Sequence, residues 1–411
     1  MHSISKTYNT KNNCKDLSRL GWQRPTICQF FTASCDYTPI QTKFLNIPKT
    51  PQSFEVNNNN VSFIVSAKLS NNKAIVCYKG SIGGNYVCAV RIVNISNDVA
   101  SFGPVFSVST TCYMWIDIVV LSSSKAIAVW QDYSKSYKLV VCVLTINPDD
   151  TFSKGPLVTI NDGWNYPSLI RLSDTKVLLC YKGGEGSLNE VSRAMVLSLN
   201  TEGTAVILGN SVILSSNVTN DHKVVMISEN RALACFNSRN IISNPYYGVV
   251  VILDINDTTI TFSPELIYKD VTVNDSDLIY LTNNKVLISY RYSLPGNITR
   301  AGARIIEVGT SNIIVYPEII FKNSVVTYND IIKINSTQAL ACYVDISNSN
   351  FGTSMLLDFN LDNNTIELNT ESVFERTGTA WINSIQFTET TALVFYKAID
   401  NSGFGTAVII K

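Results

Sequence analysis

Three observations predict an all-β fold, a seven-bladed β-propeller of four-stranded blades closed by an N-terminal strand that completes the last blade. They are a motif that occurs seven times, a period of 51 to 55 residues, and two chain ends that complement one another. The motif is a basic or polar residue followed by an apolar run ending in an aromatic: KAIVCYK from Lys73, KAIAVWQ from Lys125, KVLLCYK from Lys176, RALACFN from Arg231, KVLISYR from Lys285, QALACYV from Gln338 and TALVFYK from Thr391. Helical solenoids need a 3.6-residue apolar rhythm, which is absent, and β-solenoid rungs are much shorter than this period. Four short strands per repeat match one propeller blade.

The strands follow in order within each repeat. An apolar stretch and polar turn precede the anchor motif, as in WIDIVVLSSSK and WINSIQFTETT, which predicts a first strand joined tightly to the second. A variable polar loop leads to a third strand, often opened by an aromatic-glycine pair: Tyr247-Gly248, Phe351-Gly352 and Phe404-Gly405. An Asn/Asp-rich turn such as LDINDTT follows, then a fourth strand with Gly or Pro near its start, as in Phe102-Gly103-Pro104. The final repeat stops at Lys411 after its third strand, and TPQSFEV from Thr50 stands where the missing fourth strand is expected. A strand supplied from the other end leaves no unpaired edge.

The chain thus divides into an extension, residues 1–49, and a propeller, residues 50–411. The extension carries seven Lys/Arg against Asp16 and Asp36, with Cys14, Cys28 and Cys35. It reads either as a docking arm onto a larger assembly or as a partly ordered segment packed on the propeller.

Composition narrows the function. Lys plus Arg equals Asp plus Glu at 32 each, so no bulk field draws in nucleic acid. No apolar run is long enough to predict membrane insertion, and the start lacks the apolar core of a secretory signal. Cys77, Cys180, Cys235 and Cys342 share one slot of the repeat and are expected to be separate, buried and reduced, in a protein that folds under reducing conditions. Asn-X-Ser/Thr triplets, such as that at Asn94, are expected by chance in a chain this rich in Asn, Ser and Thr.

Catalytic machinery is sparse. Histidine occurs at His2 and His222 alone, which makes a Ser-His-Asp hydrolase or a multi-histidine metal site hard to build. The N-terminal cysteines lack paired C-x-x-C spacing, no Gly-rich loop is followed by Lys-Ser/Thr, and the Asp/Asn turns lack the ligand order of a calcium loop. The Ser-x-Asp-x-Gly-x-x-Trp turn of sialidase-type propellers is absent. No catalytic residue, metal or cofactor is therefore expected.

One positional feature points to binding. Ten residues before each anchor stand Phe63, Trp115, Tyr166, Asp221, Asp275, Tyr328 and Trp381, aromatic in five repeats of seven. Two positions later come Val65, Asp117, Ser168, Lys223, Asp277, Asp330 and Asn383. At the beginning of the innermost strand these groups would ring one mouth of the central channel. Aromatic faces beside carboxylates and amides hold sugars, whose C–H faces stack while their hydroxyls need partners. The candidate ligand-binding residues are Trp115, Asp117, Tyr166, Asp277, Tyr328, Asp330, Trp381 and Asn383. The competing role for the aromatics is to wedge between neighbouring blades. Further candidates for specificity are the loops Asn244 to Tyr247 and Asn297 to Arg300.

Units reading K-A-[LIV]-x-C/x-Y, a polar loop and an Ile-x-Phe-Gly-like fourth strand resemble the propeller repeats of bacteriophage and prophage tail-associated proteins, over residues 50–411. The resemblance implies a virion component, assembled in a host cytoplasm, that attaches to a cell-surface glycan or receptor and contacts other virion proteins through its extension. Residues 1–49 match no tail-anchoring segment, and no trimerising coiled coil is present. The alternatives are a cytoplasmic protein-protein scaffold, for which Gly-His and Trp-Asp signatures would be expected, and a glycoside-processing enzyme.

Overall fold

The computed structural model describes residues 51–54 and 61–411, apart from 83, 185–189, 240–244, 297 and 401–402. The extension and its cysteines lie outside the described residues, as do parts of both candidate specificity loops. The chain divides into two units, Met1–Lys43 and Phe44–Lys411, and the second is described here.

The described residues form antiparallel sheets throughout. All seven anchor motifs are strands, from Lys73–Ile82 to Thr391–Ala398, and each lies between a preceding and a following strand of its own repeat. The repeat from Val218 is typical. Val218–Ser228 pairs with Arg231–Arg239, which pairs with Tyr247–Asn256, which carries the outer segments Thr259–Phe262 and Leu266–Lys269. The fourth strand is therefore split, with Ser263 and Pro264 in its middle and not at its start. Pro cannot donate to the ladder, so pairing stops there and resumes.

Burial explains why the anchors read as unbroken apolar runs. Successive side chains of a strand face opposite sides, and here both sides are covered. Ala74, Val76 and Tyr78 pack into one cluster with Phe395 and Ile409, while Ile75 and Cys77 pack into another with Ala128 and Trp130. The core is thus a series of layers between consecutive sheets, and one layer joins the first repeat to the last.

The first anchor residue has a different task. Lys73 pairs with Asp150 at 2.5 Å, Lys176 with Asp257, and Lys285 donates to the Leu361 carbonyl at 2.6 Å. Each reaches the Asn/Asp-rich turn of the next repeat. Thr391 cannot, but Lys411, one residue beyond the Ala392–Ile410 pair, reaches Asp98 in its place.

The ends meet as expected from the sequence. Gln52–Ser53 pairs antiparallel with the last strand, Gln52 opposite Ala407 and Ser53 opposite Thr406, and Phe54 N–H donates to the Gly405 carbonyl at 2.7 Å. The aromatic-glycine pairs show why this strand belongs there. A Cβ on Gly248 would stand 2.4 Å from the Tyr268 ring, and one on Gly352 would stand 2.4 Å from the Phe374 ring, each ring coming from the outer strand of that repeat. On Gly405 the same Cβ would stand 2.3 Å from the Phe54 ring. Phe54 fills, from the N-terminal side, the slot that Tyr268 and Phe374 fill elsewhere. Each innermost strand touches the next, and the last, the C-terminal part of Thr365–Thr388, touches Ser62–Lys68 of the first.

Candidate functional site

The seven innermost strands share an irregularity. In each, pairing with the anchor slips at an equivalent place, for example between Met114 and Asp117, between Asn220 and Lys223, and between Ala380 and Asn383. Such a bulge re-aims the side chain it carries. The bulged residues are Phe63, Trp115, Tyr166, Asp221, Asp275, Tyr328 and Trp381, all with φ between 49° and 57°. These are the seven positions ten residues before the anchors, and they stand near the start of each innermost strand, as in Ser62–Lys68 and Val326–Lys333. Left-handed backbone is ordinary for Asp and rare for bulky aromatics, for which glycine would be the relaxed choice.

All seven line one cavity of about 170 Å³. That is smaller than a drug-sized pocket, about 300–1,000 Å³. The aromatics form an unbroken arc, with ring centroids 4.8 Å apart from Tyr328 to Trp381, 4.1 Å from Trp381 to Phe63, 5.3 Å from Phe63 to Trp115 and 3.9 Å from Trp115 to Tyr166. Each ring is half-buried, against its neighbours on one side and the cavity on the other. Asp221 and Asp275, from consecutive repeats, occupy the remaining two positions.

The second set of positions divides. Asp330 and Asn383 line the cavity, whereas Asp117 and Asp277 are not among its lining residues. These carboxylates join repeats: Asp117 Oδ2 accepts from Leu169 N–H at 2.6 Å, Asp277 Oδ2 from Ile331 N–H at 3.0 Å and Asp330 Oδ2 from Ser384 N–H at 2.7 Å. Asp221 Oδ2 does the same from the bulge position, accepting from Ser276 N–H at 2.8 Å. Asn383 accepts from Ser66 Oγ and donates to Asp330 Oδ1 at 3.3 Å, which links the last repeat to the first.

Lys223 stands in the same slot as these carboxylates, its Nζ 3.7 Å from Asp277 Oδ1. Asp277, then Asp330, Asp117 and Asp221, hold its ammonium well above the ordinary lysine range against the cost of burial. Burial raises Asp117 to about 6 in spite of the Leu169 N–H, and it raises Asp221 to about 6 with help from the Asp275 charge. Burial, then the Asp277 charge, also pushes Asp330 up. Asp275 stays paired with Arg291 Nε at 2.9 Å.

Two lining residues were not legible as site residues. His222 is buried and stacked on Phe236 at 5.5 Å, and burial lowers its imidazole to about 3, so it is neutral. Asn329 donates to Ser289 Oγ at 2.7 Å. His222 Nδ1 and Asn329 Oδ1 are buried without a hydrogen-bond partner. The only sequence signal for either is its place directly after a bulge residue.

Among the described residues no group of three or more His, Cys, Asp or Glu is placed to hold a metal ion, and no helix is long and apolar enough to cross a membrane. Cys77, Cys180, Cys235 and Cys342 are buried and free. Cys77 nonetheless has a thiol neighbour that the repeat does not reveal, Cys88, with 3.6 Å between sulfurs.

No family model and no curated protein matches the chain. Among solved structures it is similar to a variant of the NanB sialidase of Streptococcus pneumoniae, at 8% identity over 88% of this chain and 70% of that one, with a TM-score of 0.50. The fold is propeller-like. Other matches are a protein of unknown function from Dyadobacter fermentans, at 13% identity over 72% of this chain and 95% of that one with a TM-score of 0.47, and a putative 6-phosphogluconolactonase from Bacteroides fragilis, at 10% over 74% and 82% with a TM-score of 0.49.

Proposed function

We propose that the chain is a closed seven-bladed β-propeller that binds a cell-surface glycan or receptor at the cavity ringed by the seven bulges, and that it is not an enzyme. The observation that carries the reading is the left-handed backbone at Phe63, Trp115, Tyr166, Tyr328 and Trp381. Strained backbone under a bulky residue persists where the surrounding structure over-determines it, and such strain clusters at ligand sites. Stacking rings on one side and carboxylates on the other suit a sugar, with an apolar face and a hydroxyl edge. Closure of the ring is supported by Phe54 on Gly405, by Lys411 on Asp98 and by the layer shared between first and last repeats.

The biological setting we propose is a phage virion, assembled in the host cytoplasm, in which residues 1–49 dock onto other virion proteins. Its support is the resemblance of the repeats to those of tail-associated proteins. The experiment is a glycan array probed with the full chain and with Trp381→Ala and Trp115→Ala variants of unchanged fold. The wild type should bind a defined set of glycans and both variants should lose it. Retained binding by both would move the site elsewhere.

A further inference from the structure

From the uneven make-up of this ring, and resting on its being the ligand site, we infer that the bound glycan unit carries a protonated amine. The seven positions are equivalent by repeat, yet the arc from Tyr328 through Trp381, Phe63 and Trp115 to Tyr166 is wholly aromatic, and the two positions that close it are both carboxylates. Aromatic faces and carboxylates attract the same partner, a cation, and both repel an anion.

The charges that line the cavity agree. Asp221, Asp275 and Asp330 face a single amine, Lys223, which Asp277 already engages, and the neighbouring His222 is neutral. Two cations further out reach the arc only at its margin and have closer partners: Lys79 lies 4.1 Å over the Tyr86 ring and 6.0 Å from the Phe63 ring centroid, and Lys182 pairs with Glu190 at 2.5 Å and lies 5.9 Å from the Tyr166 ring centroid. The contacts that hold the two rim carboxylates fall on one oxygen each: Oδ2 of Asp221 accepts from Ser276 and Asn237, and Oδ2 of Asp275 accepts from Thr327 and forms the ion pair with Arg291. Asn329 Oδ1, in a side chain 93% buried, is an acceptor without a donor in the same wall. An ammonium group brings several donors and no acceptor to this acceptor-rich edge, while the sugar ring that carries it stacks on Trp381 and Phe63.

The test is calorimetric titration of the full chain with a glucosamine oligomer, its fully N-acetylated counterpart and a sialylated oligosaccharide. The free-amine oligomer should bind about tenfold tighter than the acetylated one, and the acidic sugar should not bind. The double variant Asp221→Asn, Asp275→Asn keeps an oxygen acceptor at both positions, so it should fold to the wild-type circular dichroism spectrum and lose the preference for the amine. Acetylated or acidic sugar bound as well as the amine, and lost in Trp381→Ala, would overturn the inference and leave the site standing. Binding of any of these sugars that Trp381→Ala does not weaken would overturn the site as well.

Discussion

Left-handed backbone costs a bulky residue with a Cβ about 1–2 kcal/mol, and this protein bears that cost at the same point of five repeats, where the residue is aromatic. Trp381→Ala loses the ring contacts to Phe63 and Tyr328 and keeps the strained backbone, whereas Trp381→Gly loses the same contacts and relieves it. The glycine variant is therefore expected to be about 0.5–1 kcal/mol more stable than the alanine variant, after the extra freedom of glycine in the unfolded chain is deducted. Urea unfolding of the pair measures this directly, and a glycine variant weaker than the alanine one would mean that the bulge is not left-handed. Either change should abolish ligand binding, because the ring is what the strain holds in place. Thiol chemistry offers a second check at this scale. Cys180 and Cys235 lie inside anchor strands, and burial pushes the Cys180 thiol up to about 12 and Cys235 well above its ordinary value. With Cys77 and Cys342 they should react with thiol reagents only as fast as the fold opens. Rapid labelling of all four in the native protein would place the anchors outside the core.

The strand Gln52–Ser53 is short, and its hold on the sheet comes from the residue that follows it. Phe54 is fully buried between Tyr78, Phe102 and Phe395, with ring centroids 5.2 to 6.0 Å away. Phe54→Ala is expected to cost about 3–5 kcal/mol, seen as a large drop in the urea midpoint. Deleting residues 1–56 should destabilise the whole ring, while deleting 1–45 should leave its midpoint unchanged. Equal midpoints for the two deletions would show that the strand closes nothing. Much of this level is legible in the sequence, because a run buried on both faces and a tight turn each leave a local mark. KAIVCYK announces a central strand, and Phe404-Gly405 announces a third strand, while the Phe54 ring that covers Gly405 comes from the other end of the chain and is not announced by either residue. The bulges leave no such mark. A slip such as that between Ala380 and Asn383 is a property of two strands in register, and neither strand alone records it. The fate of Asp117 and Asp277 is hidden for a similar reason, since the N–H groups they accept from, on Leu169 and Ile331, are 52 and 54 residues away on the next repeat.

At the scale of the whole molecule, carboxylates from several repeats gather about Lys223, and this sets how the protein answers to pH. Asp117 and Asp221 have pKa values near 6 in the folded protein, raised by burial, and Asp330 is raised in the same way. In the unfolded chain each titrates near 3.9. A carboxylate with a raised folded pKa makes the folded state hold more protons between those values, so stability from this source rises as pH falls through about 6 and is fully present below about 4. His222 works the other way. Its imidazole titrates near 3 when folded and about 6.5 when unfolded, so its contribution is present above 6.5 and is lost as pH falls towards 3. Three carboxylates outweigh one imidazole. At lower pH the trend reverses, because Asp132, in spite of burial, is held below the ordinary carboxylate range by hydrogen bonds from Ser134, Thr111 and Trp130, and protonating it costs stability. The protein is therefore expected to be more stable at pH 5 than at pH 7.5, by roughly 1–3 kcal/mol once solvent in the cavity is allowed for. Melting curves at the two values check the sign. Asp117→Asn should be insensitive to the part of the shift that its carboxylate carries, and His222→Phe should enlarge the shift by removing the opposing group. A wild type that melts lower at pH 5 than at pH 7.5 would mean that these buried carboxylates are ionised with solvent-like ease, and that their surroundings are wetter than the contacts of Lys223 require.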